Sequence, residues 1–206
     1  MNTAVSDILL RFVDVFFPLF VVIDPLGTMV LFLSMTSDYS VSEQKVAAKD
    51  AFVYGTIILV FFSITGNIIL SLMGISLSAI QIAGGIILLI MGIEMVREGD
   101  RPKSTGKTFK NPDLGIVPFA TPLLAGPGAI SLVIILSRQS LTSAIITMVS
   151  IVVIFIMVYI LFSYSTQISR SIGDKPMKAI TRIFGLFVAG FAIQFILDAV
   201  LFIAGI

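Results

Sequence analysis

Residues 16–33 read FFPLFVVIDPLGTMVLFL, an apolar run interrupted by Asp24, Pro25 and Gly27. With its flanks the run is long enough to cross a bilayer, which takes roughly 20 residues. A carboxylate and two helix-disrupting residues gain nothing for an isolated helix at that depth. The interruption therefore requires protein neighbours or a water-lined cavity.

The rest of the composition points the same way. Of 206 residues, 57% are hydrophobic and 12% charged, far from the balance of a soluble domain, so the chain reads as an integral membrane protein. There is no Cys and no His. Disulfides, thiol nucleophiles, thiolate or imidazole metal sites and histidine proton relays are excluded, and neither a metal site nor a cofactor is expected. A net charge of +1, with basic residues confined to short loops, argues against a nucleic-acid partner. The N-terminus lacks a basic leader and carries Asp7, Arg11 and Asp14, which read as an interfacial ladder on a retained helix, not a secretory signal. Everything the chain does is expected to happen in or against the lipid bilayer.

Hydropathy predicts an all-α membrane protein with six transmembrane helices, near 8–35, 48–73, 75–96, 114–137, 141–165 and 178–205. Ser40 and Glu43 form a capping-box pattern that starts the second helix ahead of the membrane, and Gly74 ends it. These spans place eleven of the thirteen basic residues on one side of the membrane, leaving Arg11 and Arg138 on the other. The positive-inside rule then puts both termini outside and the charged stretch at 97–110 in the cytoplasm, where it reads as a topology determinant.

The chain also repeats itself. Ala79-Ile80, Gly85 and Ile93-Glu94 recur one hundred residues on as Ala179-Ile180, Gly185 and Ile193-Gln194, and Asp24-Pro25-Leu26-Gly27 has a looser partner in Gly126-Pro127-Gly128. The expected organisation is a first three-helix repeat over 1–97, a cytoplasmic connecting loop over 98–113 and a second repeat over 114–206. Three is odd, so the second repeat enters the membrane in the opposite sense. That gives two inverted three-helix repeats with broken first and fourth helices, an architecture suited to alternating access.

At each break proline fixes its own φ and pushes the preceding residue out of the helix, so Asp24 and Gly126 should be N-caps with Pro25 and Pro127 at the first helical position. Asp24 can satisfy the free N–H groups of its own half-helix. Gly126 has no side chain to do so, and leaves donors at a positive dipole end. An uncapped helix start is an anion site, and Gly126, Gly128 and Ala129 would let a carboxylate approach backbone closely. The opposing break offers Asp24 with Gly27 and Thr28, and unwound carbonyls around Val22 and Ile23. Brought together, the breaks suit an α-amino acid zwitterion with a small side chain. Asp24 is also the first candidate for ion coupling, with Asn67, Glu94 and Gln194 as a possible polar network. Gly84, Gly85, Gly92, Gly185 and Ala189 read as close helix contacts.

The six spans, Asp-Pro-Leu-Gly at 24–27, Pro-Leu-Leu-Ala-Gly-Pro-Gly at 122–128, Ile82-Ala83-Gly84-Gly85 and Arg182-Ile183-Phe184-Gly185 together resemble the MarC family, which includes a transporter of small neutral amino acids. The resemblance covers the whole chain. It implies a multi-pass protein of a prokaryotic plasma (inner) membrane that carries glycine, alanine or serine, with a coupling ion, proton or sodium, as the second partner. An exporter or permeation pathway for other metabolites or drugs is the alternative. An intramembrane hydrolase is a minor one, because an aspartyl dyad needs a second acid beside Asp24 and no mid-membrane span supplies one.

The basic asymmetry yields a direct test of orientation. A cysteine at Ser104, in this naturally cysteine-free chain, is expected to stay unlabelled by a membrane-impermeant maleimide in intact cells and to react once the cells are opened. Labelling in intact cells reverses the topology.

Overall fold

The computed structural model describes residues 2–36, 39–98, 113, 115–172 and 174–205. The connecting stretch 99–112 lies outside the described residues. The described residues form eight α-helices: α1 (Asn2–Ile23), α2 (Pro25–Met35), α3 (Val41–Leu72), α4 (Leu77–Glu98), α5 (Pro127–Arg138), α6 (Leu141–Ser163), α7 (Ser165–Ile172) and α8 (Asp174–Ala204). A wider, irregular coil, Gly115–Leu124, precedes α5. Four helices, α3, α4, α6 and α8, are long and apolar enough to cross a membrane. The remaining apolar segments come as two consecutive pairs, α1 with α2 and the Gly115–Leu124 coil with α5, each interrupted at an expected break. The helix α7 was not anticipated.

Local chemistry sets the helix ends. Ser40 Oγ accepts from the Glu43 N–H while Glu43 Oε2 accepts from the Ser40 N–H at 2.7 Å, the reciprocal box the sequence suggested. Gly74, at φ +68, closes α3, with the Ile75 N–H donating back to Leu70 O. Ser140 caps α6 as Ser40 caps α3, by accepting from the Ser143 N–H. The Gly115–Leu124 coil is irregular because of its prolines. Val117 precedes Pro118 and Thr121 precedes Pro122, and both are extended (φ −127, ψ 116 and φ −136, ψ 130), as the ring of a following proline demands. The fourth span is therefore a kinked coil feeding a half-helix, not the two half-helices that a single break at Gly126 implied.

The longest interface is α4 against α8, and small residues make it close. A Cβ on Gly92 would lie 2.8 Å from both Gly185 O and Ala189 N, and one on Gly185 would lie 2.9 Å from Gly92 O and 3.0 Å from Val96 N. A Cβ on Gly85 would lie 2.8 Å from Ala192 O and 2.7 Å from Ile196. These are backbone-to-backbone approaches that only a missing Cβ permits. The glycine contacts expected from sequence are present, Gly84 included, whose open side faces Ser131 of α5.

The contacts also obey a rule. Gly85 meets 192 and 196, whereas Gly185 meets 92 and 96, so each pair maps onto the other under a shift of one hundred residues. Descending positions on α4 meet ascending positions on α8, which makes the two helices antiparallel. Gly55 of α3 faces Phe155 of α6, its own counterpart under the same shift. Between elements the pattern continues: α3 packs on the Gly115–Leu124 coil and α5, as α6 packs on α1 and α2, and α4 packs on α5 as α8 packs on α2.

The core runs between these pairs, with Leu19, Val22, Ile23, Met29, Leu59, Leu88, Leu124, Leu132, Ile151 and Phe155 buried. Large apolar side chains are exposed along the outer faces of α3, α4, α6 and α8, among them Ile57, Ile64, Ile90, Ile156, Leu186 and Leu197, as lipid contact requires. Asp7, Arg11 and Asp14 are exposed on α1, and among the described residues no ion pair joins them, so the expected ladder does not form.

Replacing Gly92 with Leu should break the α4–α8 interface, because the atoms it meets are backbone and cannot yield. Overpacking typically costs about 1–3 kcal/mol, and a lower melting temperature in detergent is expected. Gly190 has nothing within 4 Å of its would-be Cβ, so Gly190→Leu should melt like the parent protein. Equal melting of all three proteins would refute the close packing.

Candidate functional site

The first break is a single residue wide. Asp24 sits at φ 49, ψ 64 in the left-handed region, not in the extended region that a following proline ordinarily imposes. Aspartate is among the few non-glycine residues that tolerate this conformation. It lets the Asp24 N–H keep its bond to Phe20 O and Asp24 O accept from the Thr28 N–H, both at 3.0 Å. Asp24 thus closes α1 and opens α2 at once. Val22 and Ile23 remain helical, so the unwound backbone expected there is absent. Their turn still loses donors, since Pro25 has no N–H to offer and the Gly27 N–H turns to Asp24 Oδ1 at 3.0 Å.

Asp24 is fully buried, in company otherwise of serines and threonines among the buried polar residues. Its carboxylate lies back over the first turn of α2, directly against Gly27. A Cβ on Gly27 would fall 2.9 Å from Asp24 Cγ and closer still to Oδ2. Glycine at 27 is therefore the space that the cap occupies.

The second break differs as its sequence suggested. Gly126 is extended (φ −77, ψ 170), precedes Pro127 and supplies no side-chain cap to α5. Ser131 Oγ donates to Pro127 O at 2.8 Å one turn in. Gly128, however, does not face open space: a Cβ there would lie 2.8 Å from Leu88 Cγ. The side of Gly128 expected to admit a carboxylate is filled by Leu88 of α4. Gly126, Gly128 and Ala129 are buried and Pro127 is exposed, while Val22, Ile23, Asp24, Pro25, Gly27 and Thr28 are all buried. The two break regions belong to one apolar core, through Val22, Ile23, Leu124, Ala125 and Ala129.

A feature not foreseen lies on one side of the breaks. Phe32 of α2, Phe119 of the Gly115–Leu124 coil and Phe162 of α6 are fully buried and mutually in ring contact, with centroids 4.3 Å apart for Phe32–Phe162 and 5.2 Å for Phe32–Phe119. They form a plug between the breaks and the end of the bundle where α3 begins. Phe32 lies two turns along α2 from Asp24, a spacing visible in sequence, but its partners are remote and no local pattern announces them. Toward the other end of α3, Ile134 of α5 packs against Gly66, whose would-be Cβ lies 2.7 Å from Ile134 Cδ1. Nearby, Ser63 and Ser137 share a hydrogen bond of 2.6 Å. The Ser163 hydroxyl, one hundred residues on from Ser63, is buried without a hydrogen bond.

The remaining polar candidates do not join the breaks. Gln194 donates from Nε2 to Asp198 Oδ1 at 2.6 Å, a bond along α8 and not between helices. Asn67 accepts from Ser71 Oγ through its backbone carbonyl and lines a cavity with Gln81, Arg138 and Asp198, beyond Ile134. Glu94 is exposed on α4. A single network of Asp24, Asn67, Glu94 and Gln194 is therefore not formed, although Asn67 and the Gln194–Asp198 pair share one end of the molecule. Among the described residues, no group of three or more carboxylates, imidazoles or thiols could hold a metal ion.

Comparison with known proteins adds a family. The model of MarC family integral membrane proteins matches residues 9–204. A UPF0056 membrane protein of Aquifex aeolicus is 31% identical over 91% of this chain and 91% of its own length. One from Methanocaldococcus jannaschii is 30% identical over 92% of this chain and 95% of its own, and one from Buchnera aphidicola is 34% identical over 96% and 95%. No solved structure matches the chain.

The cap geometry predicts an asymmetry between the two glycines that follow the prolines. Gly27→Ala drives a methyl into the Asp24 carboxylate, removing a cap worth about 1 kcal/mol and displacing a buried charge. Gly128→Ala meets only the flexible end of Leu88, which can rotate away. A clearly larger drop in detergent melting temperature is expected for Gly27→Ala, and the reverse order would contradict the assigned cap.

Proposed function

The chain belongs to the MarC family of integral membrane proteins, and we propose that it is a secondary active transporter of small neutral amino acids, glycine, alanine and serine, working by alternating access. On this reading it crosses the membrane six times, as two inverted repeats with both termini outside a prokaryotic plasma membrane. The packing supports it. Equivalent helices pair across the molecule, and the contacts of Gly85 and Gly185 exchange under the hundred-residue shift, as a pseudo-twofold axis in the membrane plane demands.

One observation carries the substrate assignment: the two breaks share a core, yet one holds a buried carboxylate and the other an uncapped helix start. A zwitterion satisfies both at once. Its ammonium, or a coupling proton or sodium ion, belongs with Asp24. Its carboxylate belongs with the free N–H groups at the start of α5, reached when Leu88 swings off Gly128. On this reading, the burial of both breaks, Pro127 apart, corresponds to an occluded state.

The two seals are unequal, three phenylalanines on one side against Ile134 and Gly66 on the other. Rocking one repeat against the other would open them in turn. The Ser63–Ser137 bond and the unbonded Ser163 hydroxyl fit a molecule caught with its halves in different arrangements.

The test is uptake of labelled glycine into proteoliposomes. Asp24→Asn keeps an acceptor for the Gly27 N–H and so retains much of the cap. A folded protein with strongly reduced uptake is expected, and glycinamide, which lacks the carboxylate, should compete far less well than alanine. Normal uptake by Asp24→Asn together with full competition by glycinamide would reduce the breaks to hinges. Competition by structurally unrelated drugs equal to that by alanine would favour a general exporter.

A further inference from the structure

A cavity of about 500 Å³ opens at the end of the molecule where α3 turns into α4. It is lined by Asn67 and Ser71 of α3, Ser78 and Gln81 of α4, Arg138 at the end of α5 and Asp198 of α8, with apolar residues between them. Ser78 is buried, while Arg138 and Asp198 are exposed, so the walls set polar groups and one charge of each sign among Leu70, Ile75, Leu77 and Phe202. Gln194 holds the Asp198 carboxylate through one oxygen without neutralising it. The cavity is separated from the breaks by the Ile134–Gly66 contact, immediately next to Asn67.

The geometry points to this cavity as a substrate vestibule, a second binding site for the amino acid zwitterion, with Arg138 facing the carboxylate and Asp198 the ammonium. Its volume lies in the range of small-molecule sites, roughly 300–1,000 Å³, and far exceeds what glycine or alanine fills. It therefore recognises the charge pair and not the side chain, leaving size selection to the packed breaks. In the sequence, the hundred-residue shift sets Gln167 and Thr181 opposite Asn67 and Gln81. The inference rests on the transport reading only for the identity of the ligand.

The experiment reads occupancy without transport. Ser71→Cys, a single thiol in the full cysteine-free chain, is reconstituted in phosphatidylglycerol vesicles and its alkylation rate by a maleimide is measured. Glycine and the bulkier leucine should each protect, slowing alkylation about threefold at a concentration near twice the Kd, by mass action. Glycinamide and acetate, carrying one charge each, should not. Protection should vanish on adding Arg138→Gln or Asp198→Asn and survive Arg138→Lys and Asp24→Asn. Asparagine at 198 keeps an oxygen for Gln194, and Arg138→Gln sits on another helix, so the two variants control for each other's folding.

No protection by any amino acid, or protection unchanged in both charge-removing variants, overturns the vestibule. A zwitterionic lipid headgroup offers the same chemistry. Slow alkylation that appears only with phosphatidylethanolamine, and ignores added amino acid, overturns the amino acid as occupant. Protection without glycine uptake would sink the transport reading and leave the vestibule standing, and uptake without protection would do the opposite.

Discussion

The hydrogen bond from the Gly27 N–H to Asp24 Oδ1 is the interaction on which the break depends. Within a bilayer a backbone group released from a helix has no water to turn to. Three residues cooperate to meet that demand. Pro25 removes one donor, Asp24 supplies an acceptor in a conformation few other residues accept, and Gly27 vacates the space in which the acceptor lies. None works alone. With a side chain at 27 the carboxylate has no place, and without the left-handed turn at 24 it could not lie over α2 while its own backbone stays bonded to Phe20 and Thr28.

Close backbone contact plays the matching part between helices. With lipid on the outside, burying apolar side chains gives little net drive, so association leans on packing. The glycines of α4 and α8 bring main chains within contact distance, and Gly85 with Gly185 occupies equivalent places in the two halves, as Gly92 does with the small Ala192. Met95 and Ile196 fill the remaining space beside these glycines, so α4 and α8 meet as closely packed, interlocking surfaces.

Much of this was legible from the chain. Capping residues, prolines and the hundred-residue echo of small residues are readable in the chain, and the long helices, both N-caps and the close-contact role of the small residues follow from them, though not the pairing of α4 with α8. That Asp24 leaves the right-handed helix and caps α2 was legible, but its left-handed conformation was not, because the proline rule that makes Val117, Thr121 and Gly126 extended competes there with the need to keep helix bonds on both sides. Gly128 is legible only in part, since a glycine shows that space is needed and not that Leu88 packs into it. The phenylalanine plug and the polar cavity are assembled from remote segments, and only the fold brings them together.

The two halves share a plan but differ where a cycle would need them to differ. One break carries its own acid as a cap and the other has no side-chain cap. On one side three aromatic rings are in mutual contact, and on the other Ile134 packs on Gly66. Perfect symmetry would place equal barriers on both sides and leave a zwitterion no preferred orientation between equal poles. On the transport reading proposed above, unequal caps would give a bound zwitterion one orientation, and the duplicated scaffold would supply the axis about which the halves rock. The departures from symmetry at 24 and 126, and at 32 and 134, would then set how readily each mouth opens, while the direction of net movement would follow the gradients of substrate and coupling ion.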